Sequence, residues 1–346
     1  LALHPQDARR ILLFTKPRYI GDTVVATPAM LRLREALTKA HICLATGRAA
    51  SEAVQGVPFL DSTLVLPPKP GLQQTLETAR TVRGGGYQMA VLFNRSLQSA
   101  VVAKLAGIPL RVGQDVEGRG LLLTHRARSD RTEREVMQLL RLIEVLGLPS
   151  EFCLPQLHVS PAEREEARDL LCRSGGDPQS AELLAVHTPG ADTEKRAWHP
   201  SRYGELIRML SERYPQLIPV HIGSAAERAF GALVEEAAGR RVLQLAGETS
   251  IRQMLGIVSL CRAVIAADGG VLHMSVGIGT PTVQIFGPLT AARWAYPEPP
   301  HRLILGADPL GGRDAAANRR ALDSITPAMV VPAVQSVLEL CRGVPR

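Results

Sequence analysis

The segment Val264–Pro288, VIAADGGVLHMSVGIGTPTVQIFGP, restricts the fold more than any other stretch of the chain. An apolar run at Ala263–Ala267 shows no alternation, as a strand buried on both faces of a parallel sheet does. Asp268-Gly269-Gly270 breaks the run. Leu272, Met274, Ser275, Val276 and Ile278 then read as a short, mostly apolar helix. Gly279-Thr280-Pro281 ends it, and Thr282–Phe286 is the next strand. In open α/β sheets, ligands bind beyond the carboxyl ends of the strands. Paired glycines let phosphates approach the backbone, and the free N–H groups of a helix start favour an anion. His273, within the first helical turn, would reach the same ligand. An ordinary crossover with Asp268 as helix N-cap fits the same pattern, and both readings stand at this point.

The alternation of strand and helix recurs along the chain. In the first half, strands are expected at Arg10–Thr15, Ile42–Ala45, Ser62–Leu66 and Met89–Phe93, and helices at Leu72–Val82, Leu97–Ala106 and Glu133–Leu146. A helix from about Thr23 to Leu37 would contain Pro28, which costs a helix interior about 3 kcal/mol. Either Pro28 opens the true helix with Thr27 as cap, leaving Gly21–Thr27 irregular, or the segment is kinked. In the first case Asp22 is a carboxylate displayed at a strand's carboxyl end; a capping role for it is the commoner one. Pro109–Arg119 reads as irregular. Gly147–Pro161, with three prolines, is the best linker candidate. A helix at Pro161–Cys172 follows, then strands at Leu183–His187, Ile218–Ile222 and Val242–Leu245, and helices at Pro200–Arg213 and Ser250–Ser259. Ala307–Arg320 is polar, and Pro327–Cys341 reads as a terminal helix. Two successive sets of βα units imply an α/β chain of two Rossmann-like domains facing across a cleft. The expected boundaries are 1–155 for the first domain, 156–179 for a linker and helix, and 180–346 for the second.

With 346 residues the chain can bury two cores. No apolar run approaches the roughly 18–20 residues that span a bilayer. The residues before Ile11–Phe14 do not form a signal peptide, and the chain opens on Leu1 rather than Met. Cys43, Cys153, Cys172, Cys261 and Cys341 are scattered, odd in number and without CxxC, and read as reduced core residues of a cytosolic protein. No HExxH or tight His/Cys cluster suggests a metal. The net charge of +7 is uneven: residues 1–160 carry 20 Lys+Arg against 13 Asp+Glu, the remainder 20 against 20. This suggests that the first half meets something anionic, such as a phosphorylated lipid, a membrane surface or a nucleic acid. A general preference for Arg over Lys accounts for the same count. Aromatic residues at 4%, without basic–aromatic interleaving, argue against stacking on single-stranded nucleic acid.

Four loops of the second half follow strands expected to be parallel, so they should converge on one edge. They carry Thr188, Gly190, Lys195 and Arg196; Gly223 and Glu227; Thr249; and Asp268, Gly269, Gly270 and His273. Backbone N–H groups with Lys or Arg suit a diphosphate, and a Glu suits ribose hydroxyls. The set reads as a nucleotide site. Neither GxGxxG nor GxxxxGK[ST] occurs, which argues against a dehydrogenase and against a P-loop kinase or NTPase.

Several motifs stand in a definite order. Gly21-Asp22 is followed by Thr27-Pro28-Ala29. Ser96-Leu97-Gln98-Ser99-Ala100 precedes Ala106-Gly107-Ile108-Pro109 and Arg111-Val112-Gly113. Leu245-Ala246-Gly247 runs into Glu248-Thr249-Ser250-Ile251. DGGVLH at 268–273 is followed by Gly279-Thr280-Pro281 and Phe286-Gly287-Pro288. On these motifs the chain resembles the family 9 glycosyltransferases, the lipopolysaccharide heptosyltransferases, over nearly its whole length, and is most similar to the heptosyltransferase II type.

The resemblance implies a GT-B fold, an inverting mechanism and no required metal or other cofactor. It implies ADP-heptose as donor, held by the second domain, and a phosphorylated, lipid-linked core sugar as acceptor, held by the first. In the family's mechanism the aspartate matching Asp22 is the general base on the acceptor hydroxyl. Lys16, Arg18, Asn94, Arg95 and Arg111 are then the acceptor-side candidates. Amides near Gly269-Gly270 and a cation at 195–196 would stabilise the leaving group. The chain departs from the family pattern at two positions. The family's phosphate-contacting lysine stands two residues before a Trp; here that position, before Trp198, is Arg196, with Lys195 one further back, and either would serve. Gly269 stands where the family often has Ser or Thr. These departures leave the donor open between ADP-heptose and another nucleotide sugar. Two other readings remain: a related transferase with a soluble acceptor, and a nucleotide-sugar-binding GT-B protein that performs no transfer. The expected location is cytoplasmic, with peripheral contact to the inner membrane surface and no nucleic acid partner.

Overall fold

The computed structural model describes residues 3–68, 71–130, 132–189, 197–308, 310 and 314–340. It divides between His158 and Val159 into two compact units. In the first, strands β1 (Arg10–Phe14), β2 (His41–Thr46), β3 (Ser62–Val65), β4 (Met89–Leu92), β5 (Leu110–Gln114) and β6 (His125–Ala127) form one parallel sheet. Its order is β3-β2-β1-β4-β5-β6. Helices α1 (Ile20–Val25), α2 (Thr27–Ala36), α3 (Arg48–Ala53), α4 (Leu72–Gly84), α5 (Leu97–Leu105) and α6 (Glu135–Glu144) make the connections. The central strands are apolar almost end to end because helices cover both faces; Ile11–Phe14 and Met89–Leu92 are all buried. Leu12 and Phe14 of β1 pack with Val82 of α4 and Val102 of α5 in one cluster. Each such side chain contributes about 1.5–3 kcal/mol.

The second unit repeats the plan with β7 (Glu182–His187), β8 (Leu217–Ile222), β9 (Leu243–Gln244), β10 (Ala263–Ala267), β11 (Thr282–Phe286) and β12 (Arg302–Leu305), again all parallel. Its order is β12-β11-β10-β7-β8-β9. The helices are α7 (Pro161–Arg173), α8 (Pro200–Arg213), α9 (Arg228–Ala238), α10 (Ile251–Leu260), α11 (Gly270–Ile278), α12 (Pro288–Trp294), α13 (Ala315–Ser324) and α14 (Pro327–Leu340). The core is built around Trp198, whose ring meets Tyr203 edge-on at 4.9 Å and whose Nε1–H donates to the Ile325 carbonyl at 2.9 Å. Gly204 of α8 has no room for a side chain: a Cβ would stand 2.3 Å from the Val234 carbonyl oxygen of α9.

The two sheets therefore share one strand order, and it reverses at β1/β4 in the first and at β7/β10 in the second. Connections leaving adjacent strands in opposite directions open a crevice at their carboxyl ends, where α/β sheets take ligands.

Several elements differ from expectation. The helix expected at Thr23–Leu37 is two helices, α1 and α2, meeting at Ala26. Pro28 is the second residue of α2, where its missing N–H has no intrahelical partner to lose, and the Thr27 hydroxyl donates to the Val24 carbonyl at 2.7 Å. Asp22 thus lies in the first turn of α1, not in an irregular turn, and Tyr19 rather than Asp22 occupies the cap position. Pro109–Arg119, expected to be irregular, contains β5. The polar stretch Ala307–Arg320 contains most of α13, capped by Asp314 onto the Ala317 N–H at 2.7 Å. Within the segment expected as linker and helix, α7 packs on the second unit. Its capping-box residue Glu163 takes Arg252 of α10 bidentately, both bonds at 2.7 Å. Of the cysteines expected in the core, Cys43 and Cys261 are buried, but Cys172 is exposed.

Candidate active site

In the first unit, the loop leaving β1 carries Lys16, Arg18 and Tyr19 into α1. Three buried hydroxyls fix this loop to the sheet: Thr23 donates to Thr15 at 2.7 Å, Thr15 donates to Thr46 at 2.7 Å, and Thr23 and Thr46 lie 3.2 Å apart. Gly47, after β2, lets the loop lie close; a Cβ there would collide with the Pro17 carbonyl. Asp22, next to Thr23, keeps 18% of its side chain exposed, with Oδ2 3.4 Å from the Lys16 ammonium. That ammonium also lies 5.7 Å from the Tyr19 ring centroid. A cavity of about 250 Å³ opens here, lined among others by Lys16, Arg18, Tyr19, Thr78, Asn94 and Gln98.

The remaining acceptor-side candidates are used differently. Asn94, buried at the wall of this cavity, ties its loop to the end of β1, donating to the Thr15 carbonyl at 3.1 Å and accepting from the Ser96 N–H at 3.1 Å and the Ser99 hydroxyl at 2.6 Å. Arg95 turns to α6, pairing with Glu135 at 3.0 Å and Gln138 at 3.0 Å. Arg111 is not brought to this edge. It stands near the amino end of β5, and its guanidinium holds the Leu122 carbonyl at 2.6 Å and the Ile108 carbonyl. A residue the sequence reading missed, Arg119, is fully buried and does hold the edge together, donating to the carbonyls of Asn94 (2.8 Å), Gln114 (2.8 Å) and Ser96 (3.2 Å). Burial, then repulsion from Arg95, draws its pKa down to about 10.

In the second unit, the topology sets the four expected loops along one edge, after β9, β8, β7 and β10 in spatial order. Thr188, buried just past β7, shares a hydrogen bond of 2.8 Å with His221 Nε2, and Gln244 meets His221 Nδ1 at 3.0 Å. Burial, then the neighbouring His187, lowers the His221 pKa to about 4. Gly223 leaves room for Glu227, whose Oε2 would stand 2.5 Å from a Cβ at that position. Glu227 folds back onto its own helix start, accepting from the Ser224 N–H at 2.6 Å and hydroxyl at 3.0 Å, and its Oε1 lies 3.3 Å from His187 Nε2. Burial acts to raise its pKa, but the bonds from His187 and Ser224 prevail and hold it down at about 2. Thr249, half-buried, precedes the Ser250 cap of α10. Asp268 is buried at the end of β10. Gly269, not Asp268, occupies the cap position of α11, in extended backbone, so Gly269 and Gly270 bring their amides to the helix start. His273 lies deeper than the sequence suggests, its Nδ1 2.8 Å from the Tyr296 hydroxyl and its ring 5.7 Å from that of Trp294. Gly190, Lys195 and Arg196 lie outside the described residues. Among the described residues, no group of three or more His, Cys, Asp or Glu side chains is arranged to hold a metal ion.

The sequence model of glycosyltransferase family 9 (heptosyltransferase) matches residues 75–308. The chain belongs to this family. A curated relative, lipopolysaccharide heptosyltransferase 2 of Escherichia coli K12, is 24% identical over 356 aligned positions, covering 94% of this chain and 98% of its own. A family 9 glycosyltransferase of Veillonella parvula superposes with a TM-score of 0.84 at 17% identity, covering 96% of this chain and 97% of its own. The ADP-heptose lipopolysaccharide heptosyltransferase II of E. coli gives 0.79 at 22% identity, covering 96% and 99%. This family 9 protein is therefore a glycosyltransferase of the GT-B fold class, with one Rossmann-like sheet in each unit.

Among the described residues, no single helix is long and apolar enough to cross a membrane. Helices α13 and α14 pass such a test only as a pair bent by 73°, and Val330, Val334 and Val337 of α14 belong to the core of the second unit.

Proposed function

We propose that this chain is an inverting heptosyltransferase that moves heptose from ADP-heptose to a lipopolysaccharide inner-core acceptor. The observation that carries the reading is the place of Asp22: a partly exposed carboxylate beside a cavity at the β1/β4 switch point, in a family 9 chain. Asp22 takes the proton of the acceptor hydroxyl as its oxygen bonds to the anomeric carbon from the face opposite the diphosphate. The carbon–oxygen bond to ADP breaks, and its electron pair goes to the β-phosphate oxygen. Amides at the start of α11 offset the charge that develops there, with Lys195 or Arg196 as the cation, Thr188 and Thr249 on the same edge, and Glu227 near the ribose. Lys16 orients Asp22, and with Arg18 it favours an anionic acceptor. No step calls for a metal.

A lipid-linked acceptor also fits the rim of the first unit. Leu72 and Leu97 open α4 and α5, and Leu121 follows β5. All three lie at the carboxyl edge that carries Asp22, with Leu72 79% and Leu121 86% exposed. Apolar side chains on the same edge as Lys16 and Arg18 suit peripheral contact with an anionic membrane surface on the cytoplasmic side.

The test is Asp22→Asn, assayed in EDTA with ADP-heptose and a truncated core acceptor. Turnover should fall about 10²–10⁴-fold, the usual worth of a general base, with ADP affinity unchanged. Turnover within a few-fold of wild type removes Asp22 as the base. Binding of UDP or GDP in preference to ADP overturns the donor and keeps the fold.

A further inference from the structure

His187 ends β7 at the β7/β10 switch point, paired in register with Ala266 of β10. It is only 4% exposed, yet its Nδ1 is buried without a hydrogen-bond partner. Buried polar atoms are rarely left so, and an orphan at a ligand-binding edge calls for a partner that arrives with the ligand. The other ring nitrogen is engaged, with Nε2 3.3 Å from Glu227 Oε1. Because Glu227 is ionised, Nε2 carries a proton, and Nδ1 is the atom left to serve a ligand. Beyond the ring lies the start of α11. A Cβ built on Gly269 would stand 3.5 Å from His187 Cε1, so the imidazole edge faces the backbone that presents the Gly269 and Gly270 amides. The charged and titratable groups against the ring are Glu227 and His221, the latter occupied by Thr188 and Gln244.

We propose that His187 is a ligand of the donor's diphosphate: steered by Glu227 through Nε2, it donates Nδ1–H to a phosphate oxygen at the start of α11. This rests on the reading of that edge as the donor site. The ring then bridges two anions, a carboxylate through Nε2–H and a phosphate through Nδ1–H. Its donor serves the oxygen that receives the electron pair when the bond to the sugar breaks. No proton is transferred; the Nδ1–H hydrogen bond offsets the charge on the departing ADP. Glu227 acquires a second role, that of fixing the ring.

The two amide isosteres of histidine separate the roles. Gln places its N–H₂ where Nε2 stands, so His187→Gln keeps the tie to Glu227 and loses the ligand contact. Asn places its N–H₂ where Nδ1 stands, so His187→Asn keeps the contact and loses the tie. Each variant is titrated calorimetrically with ADP, AMP and adenosine. His187→Gln should weaken ADP about 10–100-fold, one charge-assisted hydrogen bond, and leave adenosine unchanged; His187→Asn should retain most of the ADP affinity. ADP binding equal to wild type in both variants overturns the inference and leaves the donor site standing. Equal losses for ADP and adenosine in both variants also overturn it, making His187 a prop for the loop or a ribose contact. Wild-type protein that binds no ADP overturns the donor-site reading and this inference with it.

Discussion

The three threonines beneath α1 offer a sharp test of how Asp22 is held. Thr15, Thr23 and Thr46 are each at most 1% exposed and bond to one another. Valine keeps the shape of threonine and removes the hydroxyl. Any single Thr→Val exchange leaves the other two hydroxyls paired, so it should cost about 1 kcal/mol, the net worth of an ordinary hydrogen bond. The double exchange Thr23→Val with Thr46→Val strands the Thr15 hydroxyl in a dry site, and the cost should rise to about 2–3 kcal/mol. The triple exchange leaves no hydroxyl unpaired, so stability should return to within about 1 kcal/mol of wild type. Both tryptophans, Trp198 and Trp294, lie in the second unit, so fluorescence does not read this region. Hydrogen exchange followed by mass spectrometry on peptides spanning Arg10–Ala26 does, at tenfold in protection per about 1.4 kcal/mol. A triple variant less protected than the double refutes the reasoning, since it would mean that the hydroxyls act independently and that no orphan is being relieved. Because Asp22 immediately precedes Thr23, the double variant should also lower turnover with the donor KM unchanged.

Two further outcomes follow from charge and burial. Burial lowers the pKa values of His221 and His301 to about 4, so the unfolded chain binds their protons first as pH falls. The second unit should lose about 2 kcal/mol per histidine between pH 6.5 and 4.5, read as a falling urea midpoint of tryptophan fluorescence; a flat midpoint over that window contradicts it. The intact protein should bind anionic vesicles more weakly as salt rises, and the triple variant Leu72→Ser, Leu97→Ser, Leu121→Ser should bind them less at every salt concentration; equal binding by variant and wild type rules out the leucine rim.

Much of the fold was legible because parallel sheets write themselves as continuous apolar runs. Ala263–Ala267 and Thr282–Phe286 are strands with the limits the sequence suggests. Elements that depend on neighbours rather than on their own pattern were not legible. Strand β5 is LRVGQ, which has an arginine and a glycine within five residues, and it is a strand because β4 offers it a parallel partner from Leu110 to Gly113. The segment around Pro28 was legible in part: the proline marks a break in the helix expected from Thr23, but nothing local shows that the helix before it begins at Ile20.

At the site, the sequence supplied chemistry and the topology supplied place. Asp22 and the Gly269-Gly270 pair could be singled out because loops after parallel strands carry unusual residues, and each lies at the point where its sheet reverses order. Arg111 shows the limit of that method. A basic residue near a motif says nothing about which end of a strand it occupies, and here three residues of β5 separate it from the edge. Arg119 and His187 mark the opposite failure. A fully buried arginine and a histidine at the end of an apolar strand resemble, in sequence, a surface charge and a core residue. Only burial with the partners counted shows that Arg119 clamps the carbonyls beside Asn94 and that His187 keeps one nitrogen unspent. Residues that brace a sheet edge are thus harder to read than residues displayed in its loops. A supporting residue is defined by what its neighbours lack, and that is a property of the packed structure.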